Sequence, residues 1–163
     1  MTGDSAPYKS ALRLQSKAAR CEGAMDYQGA CHCQAIRVEL TLSWLPEEAP
    51  VRSCDCSFCR AHGARSVTDP GGSARIVMAD PSKVQRYRFA LETADYIICS
   101  TCGTYVGAVA ETPGGLRATI NANVLTDAHR FAAHPPSVNY DRETAAERLA
   151  RRARQWTPAT IEA

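Results

Sequence analysis

The sequence predicts a mainly β fold of coiled antiparallel sheets followed by a C-terminal helix, and three observations predict it. Ile36, Val38, Leu40 and Leu42 alternate with Arg37, Glu39 and Thr41, the period-two pattern of a strand with one buried face; the alternation starts from Gln34. Further short β-prone runs follow at Arg75 to Ala79, Val84 to Leu91, Tyr96 to Cys99, Tyr105 to Ala110 and Leu116 to Asn121. They are separated by turn signals such as Asp69-Pro70-Gly71-Gly72, Asp80-Pro81-Ser82 and Thr112-Pro113-Gly114-Gly115. Short strands punctuated in this way, without long helical stretches between them, favour antiparallel pairing over βαβ units.

The character changes after Asn139. Asp141 to Gln155 is rich in Ala, Glu, Leu and Arg, all good helix formers. Asp141 stands where an N-cap is expected, and Arg151, Arg152 and Arg154 complement the helix dipole near the other end. The charge run reads as a solvated helix face. The organisation along the chain is then a tail or peripheral helix over residues 1–27, a β domain over 28–138, and a C-terminal helix and tail over 139–163.

With 163 residues, 45% of them hydrophobic and 22% charged, the chain is long enough to bury one core without disulfides and is globular rather than disordered. Nineteen Lys and Arg against seventeen Asp and Glu give a charge of +2, too balanced to point to nucleic acid or an anionic membrane as partner. No stretch has the apolar length of a membrane span. Met1 to Pro7 lacks the basic and apolar regions of a secretory signal, so a cytoplasmic chain is expected. Oligomeric state is not legible. In a reducing compartment closely spaced cysteines are metal ligands or redox centres more often than disulfides, and this chain has eight cysteines to account for.

Seven of them fall in three clusters: Cys31-His32-Cys33, Cys54-Asp55-Cys56-Ser57-Phe58-Cys59, and Cys99-Ser100-Thr101-Cys102-Gly103. In a strand, residues i and i+2 project from one face, so Cys31 and Cys33 can offer two sulfurs to one metal. A C-x-x-C followed by Gly is a tight turn that aims Cys99 and Cys102 at one point. A sheet that brings the two pairs together completes a tetrahedral zinc site of four thiolates, and closing so long a span removes much unfolded-state entropy. The competing reading, a thioredoxin-like redox pair, needs a βαβ setting that the sequence lacks. The middle cluster offers three sulfurs and no evident fourth donor. Three protein ligands with an open position mark an exchangeable or catalytic zinc, whereas a closed site would need Cys21, His32 or His62.

At these motifs the sequence resembles the glutathione-dependent formaldehyde-activating enzyme family, which includes the centromere protein V type of domain. The resemblance rests on Gly29-Ala30-Cys31-His32-Cys33, on CDCSFCRAHGA from Cys54 to Ala64 and on CSTCGT from Cys99 to Thr104, in that order, and covers residues 27 to 125. It implies coiled antiparallel sheets pinned by zinc, with Cys31, Cys33, Cys99 and Cys102 on a structural ion and Cys54, Cys56 and Cys59 on a second, exchangeable one: two zinc ions per chain. Gln34 departs from the pattern, in which Gly usually follows the first C-x-C; as a strand position it is expected to alter local packing alone. The helix after Asn139 falls outside the resemblance.

The implied activity is that of a carbon–sulfur lyase handling a thiol adduct such as S-hydroxymethylglutathione, with a small thiol such as glutathione as partner. The alternative is a zinc-stabilised binding or thiol-carrier module without turnover. A thiol entering the open position of the Cys54, Cys56 and Cys59 site would be held as thiolate and could add to an aldehyde. Arg60, next to Cys59, is the cation best placed in sequence for a glutathione carboxylate. Phe58 reads as a packing residue and His62 as a satisfied polar one, while His129 and His134 flank a Pro-rich loop without a specific role.

Overall fold

The structure, a computed structural model, describes residues 23–163. Strands β1 (Met25–Ala30) and β2 (Ile36–Leu42) form a hairpin around the first cysteine pair. They are followed by the two-residue β3 (Ser53–Cys54), the one-turn helix α1 (Ser57–Ala61), β4 (Ser66–Val67) and β5 (Ser73–Met78). A meander of β6 (Val84–Tyr87), β7 (Asp95–Cys99), β8 (Tyr105–Thr112) and β9 (Gly115–Asn121) comes next. The chain closes with the short β10 (Ser137–Val138), helix α2 (Ala145–Gln155) and β11 (Thr157–Glu162).

The alternation read in β2 is realised: Ile36, Val38, Leu40 and Leu42 are buried and Arg37 and Glu39 are exposed. Pairing Val38 with Ile76 and Leu40 with Ala74 places the apolar face of β2 beside that of β5, so one side of this half-sheet is continuously apolar. The β6 to β9 meander pairs antiparallel throughout, with a shift in register between Ile97 and Ile98. β6 ends at Tyr87 rather than running on to Leu91, because Ala90 and Glu92 take left-handed backbone, φ 53° and 51°, and turn the chain.

β11 joins the two halves. Ala159 to Glu162 pair parallel with Ala74 to Val77 of β5, and Thr157 and Pro158 pair antiparallel with Ala118 and Arg117 of β9. The result is one nine-stranded sheet in the order β1-β2-β5-β11-β9-β8-β7-β6, with β4 on β9. The fold is therefore mainly β with a C-terminal helix, but the sheet is mixed rather than purely antiparallel. Ile36, Val38 and Ile76 of one half share a single core with Ile97, Val106 and Ile120 of the other. Each such fully buried aliphatic side chain contributes about 2 kcal/mol of transfer free energy.

Both ends of the chain differ from the sequence expectation. β1 begins at Met25, inside the segment read as a tail, and residues 1–22 of that segment lie outside the described residues. Its MDYQGA sequence lacks a clean alternation because Gly29 sits where a Cβ would meet the Val124 carbonyl oxygen at 2.5 Å. At the other end residues 157–162 form a central strand rather than a tail. Helix α2 starts after Thr144, not Asp141. The Thr144 hydroxyl accepts the Glu147 N–H at 3.3 Å and the Glu147 carboxylate accepts the Thr144 N–H at 2.8 Å, a capping box that satisfies two backbone donors where Asp141 would satisfy one.

Candidate metal centres and the adjoining cavity

The first cysteine pair sits in the β1–β2 turn. Cys31 donates its N–H to the Ile36 carbonyl, and the Gln34 N–H returns to the Cys31 carbonyl, both at 2.9 Å. Gln34 closes that turn with φ 64°, so it is not a strand position but one whose left-handed backbone glycine adopts most readily. The second pair sits in the β7–β8 turn, where the Gly103 N–H reaches the Cys99 carbonyl at 2.8 Å with φ 72°. The two turns face each other, and the four sulfurs lie within 4.8 Å of one another, with Cys33 Sγ 3.5 Å from Cys99 Sγ and 3.7 Å from Cys31 Sγ. Sulfurs that share a tetrahedral zinc at about 2.3 Å are about 3.8 Å apart, so the spacing fits a bound ion. It is far from the roughly 2.05 Å of a disulfide.

Donors surround these sulfurs. The Ile36 N–H points at Cys31 Sγ at 3.3 Å, and the Thr104 hydroxyl lies 3.2 Å from Cys102 Sγ while accepting the His32 N–H at 3.4 Å. Burial pushes the Cys31 thiol up to about 12 against the pull of the Ile36 N–H. For Cys102, burial also acts upward, but the Thr104 hydroxyl and the neighbouring backbone donors outweigh it and hold the thiol down at about 5. His32 is exposed beside the cluster and is not one of its four donors.

The middle cluster is built on β3 and α1. Cys54 ends β3, where pairing with Val138 of β10 fixes it, and Cys56 caps α1, its sulfur accepting the Cys59 N–H at 3.4 Å. One turn later Cys59 points into the protein and is buried. The three sulfurs lie within 4.8 Å of one another, and among the described residues no His, Cys, Asp or Glu joins them. A hydrogen bond from Cys59 lowers Cys54 to about 6, while the same contact pushes Cys59 well above the ordinary thiol range. One negative charge is thus readily held between them, as a soft cation requires. His62 is exposed, donates from Nδ1 to the Phe58 carbonyl at 2.8 Å and packs tilted against the Phe58 ring, with centroids 4.2 Å apart. Cys21 lies outside the described residues.

These three cysteines form one wall of a cavity of about 300 Å³. Tyr96, Tyr105, Phe89 and Trp156 supply aromatic surface, and Arg52, Arg148, Arg151 and Arg152 supply cations. Burial holds the Tyr96 and Tyr105 phenols neutral, with the nearby cysteines adding to the effect. Arg60 is exposed on α1 and is not part of the cavity lining.

The arginines of the cavity were not singled out in the sequence, where α2 reads as a solvated helix. The structure corrects that reading: Arg152 is buried, and the side chains of Arg148 and Arg151 are 15% and 11% exposed. Arg148, Arg151 and Arg152 recur at i, i+3 and i+4, the spacing of one helix face, and that is the signal that could have found them. The face stays charged because it docks on a cavity rather than on the apolar core.

A family model described as glutathione-dependent formaldehyde-activating enzyme matches residues 26–140. A crystal structure of a Rhodobacter sphaeroides protein, solved as a structural genomics target, is similar at 30% identity with a TM-score of 0.52, covering 68% of this chain and 99% of that one. Helix α2 and strand β11 lie beyond the segment that the family model matches. Among the described residues no helix is long and apolar enough to cross a membrane.

Proposed function

We propose that this chain, which belongs to the glutathione-dependent formaldehyde-activating enzyme family, makes and breaks the carbon–sulfur bond of a thiol–aldehyde adduct such as S-hydroxymethylglutathione. The observation that carries the reading is the wall of Cys54, Cys56 and Cys59, three convergent thiols that face a cavity with no fourth donor among the described residues. Two zinc ions per chain are proposed: one held by Cys31, Cys33, Cys99 and Cys102 as a structural staple, the other by Cys54, Cys56 and Cys59. Cys54, Cys56 and Cys59 would hold this second ion and leave one position open, and the chemistry it would supply when bound is to favour the thiolate form of a substrate thiol.

In the forward direction the substrate sulfur forms a bond to the aldehyde carbon, the C=O π pair moves to oxygen, and that oxygen takes up the proton the thiol released. The lyase direction is the reverse. Tyr96, its phenol kept protonated by burial, lines the same cavity and is the donor we assign to the developing oxyanion. Phe89 and Trp156 limit access of water to the adduct. The unit proposed to carry this chemistry is residues 28–138 together with the helix and strand that follow, in a reducing cytoplasm that keeps the thiols free.

Exchange of label between formaldehyde and S-hydroxymethylglutathione, followed by NMR in the presence of zinc-loaded protein, tests the proposal. Acceleration that Cys56→Ser abolishes is expected. Exchange no faster than without protein would refute the enzymatic reading for this substrate, and glutathione binding without acceleration would leave a thiol carrier.

A further inference from the structure

We propose that Arg152, in the cavity that Arg52, Arg148 and the three-cysteine wall also line, forms a carboxylate-binding subsite and selects small thiols that carry a carboxylate. The inference rests on the assignment of Cys54, Cys56 and Cys59 as the thiol end of the cavity, and it concerns residues that the family model leaves largely uncovered: Arg148 and Arg152 lie on α2, beyond residue 140.

The argument starts from Arg151, which shows what a satisfied guanidinium looks like in this cavity. It clasps Glu143 through two hydrogen bonds of 2.6 and 2.9 Å and lies 3.6 Å over the Tyr140 ring. Arg152 has no such partner. It is 4% exposed, and its hydrogen bonds go to neutral groups, the Thr93 carbonyl and hydroxyl, both at 2.7 Å. Its Cζ lies over the Trp156 ring, 4.7 Å from the ring centroid, and its Nε has no hydrogen-bond partner. Burial lowers its pKa to about 10, which still leaves it charged at neutral pH.

Arg52 repeats the pattern, with the Thr68 hydroxyl at 2.9 Å as its partner and desolvation lowering its pKa. Arg148 donates to the Tyr140 carbonyl at 2.5 Å; its Nε lies 3.4 Å from the Glu143 carboxylate but makes no hydrogen bond. Asp141 and Glu143 line the same cavity, and Glu143, clasped by Arg151, acts on Arg152 through space, but among the described residues no carboxylate lies within ion-pair distance of Arg152 or Arg52. A buried cation without a counterion is unfavourable, and a planar fork of N–H donors matches a carboxylate. A cavity of about 300 Å³ is at the small end of ligand sites, which favours a short acid with sulfur and carboxylate a few bonds apart.

The competing explanation is that the arginines merely offset the negative charge of a three-thiolate centre, in which case a carboxylate on the thiol should bring no gain. Calorimetric titration of the zinc-loaded full chain with 3-mercaptopropionate, 2-mercaptoethanol and propionate separates the two. We expect 3-mercaptopropionate to bind at least tenfold more tightly than 2-mercaptoethanol, and Arg152→Met to erase that difference while changing 2-mercaptoethanol affinity less than twofold. Arg148→Gln should reduce the difference in part, and it serves where Arg152→Met does not fold. Equal affinities of the two thiols in the unmodified chain, or equal losses in the variants, would overturn the subsite and leave the thiol-binding reading intact. If neither thiol binds, the assignment of the cysteine wall fails; propionate binding that Arg152→Met removes would still support the subsite, and its absence would end that too.

Discussion

Gln34 and Gly103 close the two halves of one four-cysteine centre with the same left-handed backbone, φ 64° and 72°. Gly adopts this conformation freely, whereas a residue with a Cβ pays about 1 kcal/mol or more. Gln34→Gly should therefore stabilise the fold by up to about 1 kcal/mol, the conformational relief being partly offset by a freer unfolded chain. Gly103→Ala should destabilise it by about 1 kcal/mol. Urea midpoints of the two variants check both signs, and a loss of stability in Gln34→Gly would contradict the account of the turn.

The two cysteine centres should respond differently to the same substitution. Cys99→Ser opens a centre that ties the β1–β2 turn to the β7–β8 turn, so we expect loss of one metal ion together with cooperative folding, since structural zinc contributes on the order of 10 kcal/mol. Cys56→Ser should lose the other ion and keep its circular dichroism spectrum. Metal content by mass spectrometry, read beside the spectrum, distinguishes the two outcomes.

Glu143, just before α2, is tied to the helix by Arg151, whose guanidinium keeps the carboxyl below its ordinary range. A folded-state pKa below the unfolded one contributes stability above the unfolded value that is lost as pH falls through the folded value. Glu143→Gln should cost about 1–2 kcal/mol at neutral pH. Melting curves of the two proteins should keep a constant separation above about pH 4.5, the ordinary value for this carboxyl, and converge below it. A separation that persists in acid would assign the effect to packing instead.

Thr157 is fully buried, and its hydroxyl accepts the buried Asp69 N–H at 2.8 Å. Thr157→Val conserves shape but leaves that N–H without a partner, so a loss of about 1–3 kcal/mol is expected. A lower denaturation midpoint at unchanged slope is the signature to look for.

The parts of the fold legible in the sequence are those where one residue's surroundings repeat along the chain. β2 shows its alternation because one face meets the core and the other meets water. The cysteine clusters show themselves because metal ligation constrains spacing within a turn. β11 could not be read: Thr-Pro-Ala-Thr-Ile-Glu has a proline and little alternation, and its place between β5 and β9 is set by partners more than 35 residues away. β3, β4 and β10 are two residues each, too short for any period to appear. Arg52 and Arg152 stand 100 positions apart and meet at one cavity, a relation that composition and spacing do not carry. The cation adjacent to Cys59 in sequence, Arg60, faces away from it on the outside of α1.

The placement of β11 also bears on how the chain reaches its native state. Its parallel partner β5 is synthesised more than 80 residues before it, so the edge of β5 and the Arg117 and Ala118 stretch of β9 wait unpaired until β11 has emerged, while Ile120 and Asn121 of β9 can pair with β4. Such long-range parallel pairing makes folding slow, and open strand edges invite association with other nascent chains in the interval. Early capture of a metal by Cys31, Cys33, Cys99 and Cys102, all complete by residue 102, would hold the two half-sheets in register during that wait. A metal-loaded four-cysteine centre would then act first as an assembly clamp, and the chain refolded without metal should aggregate.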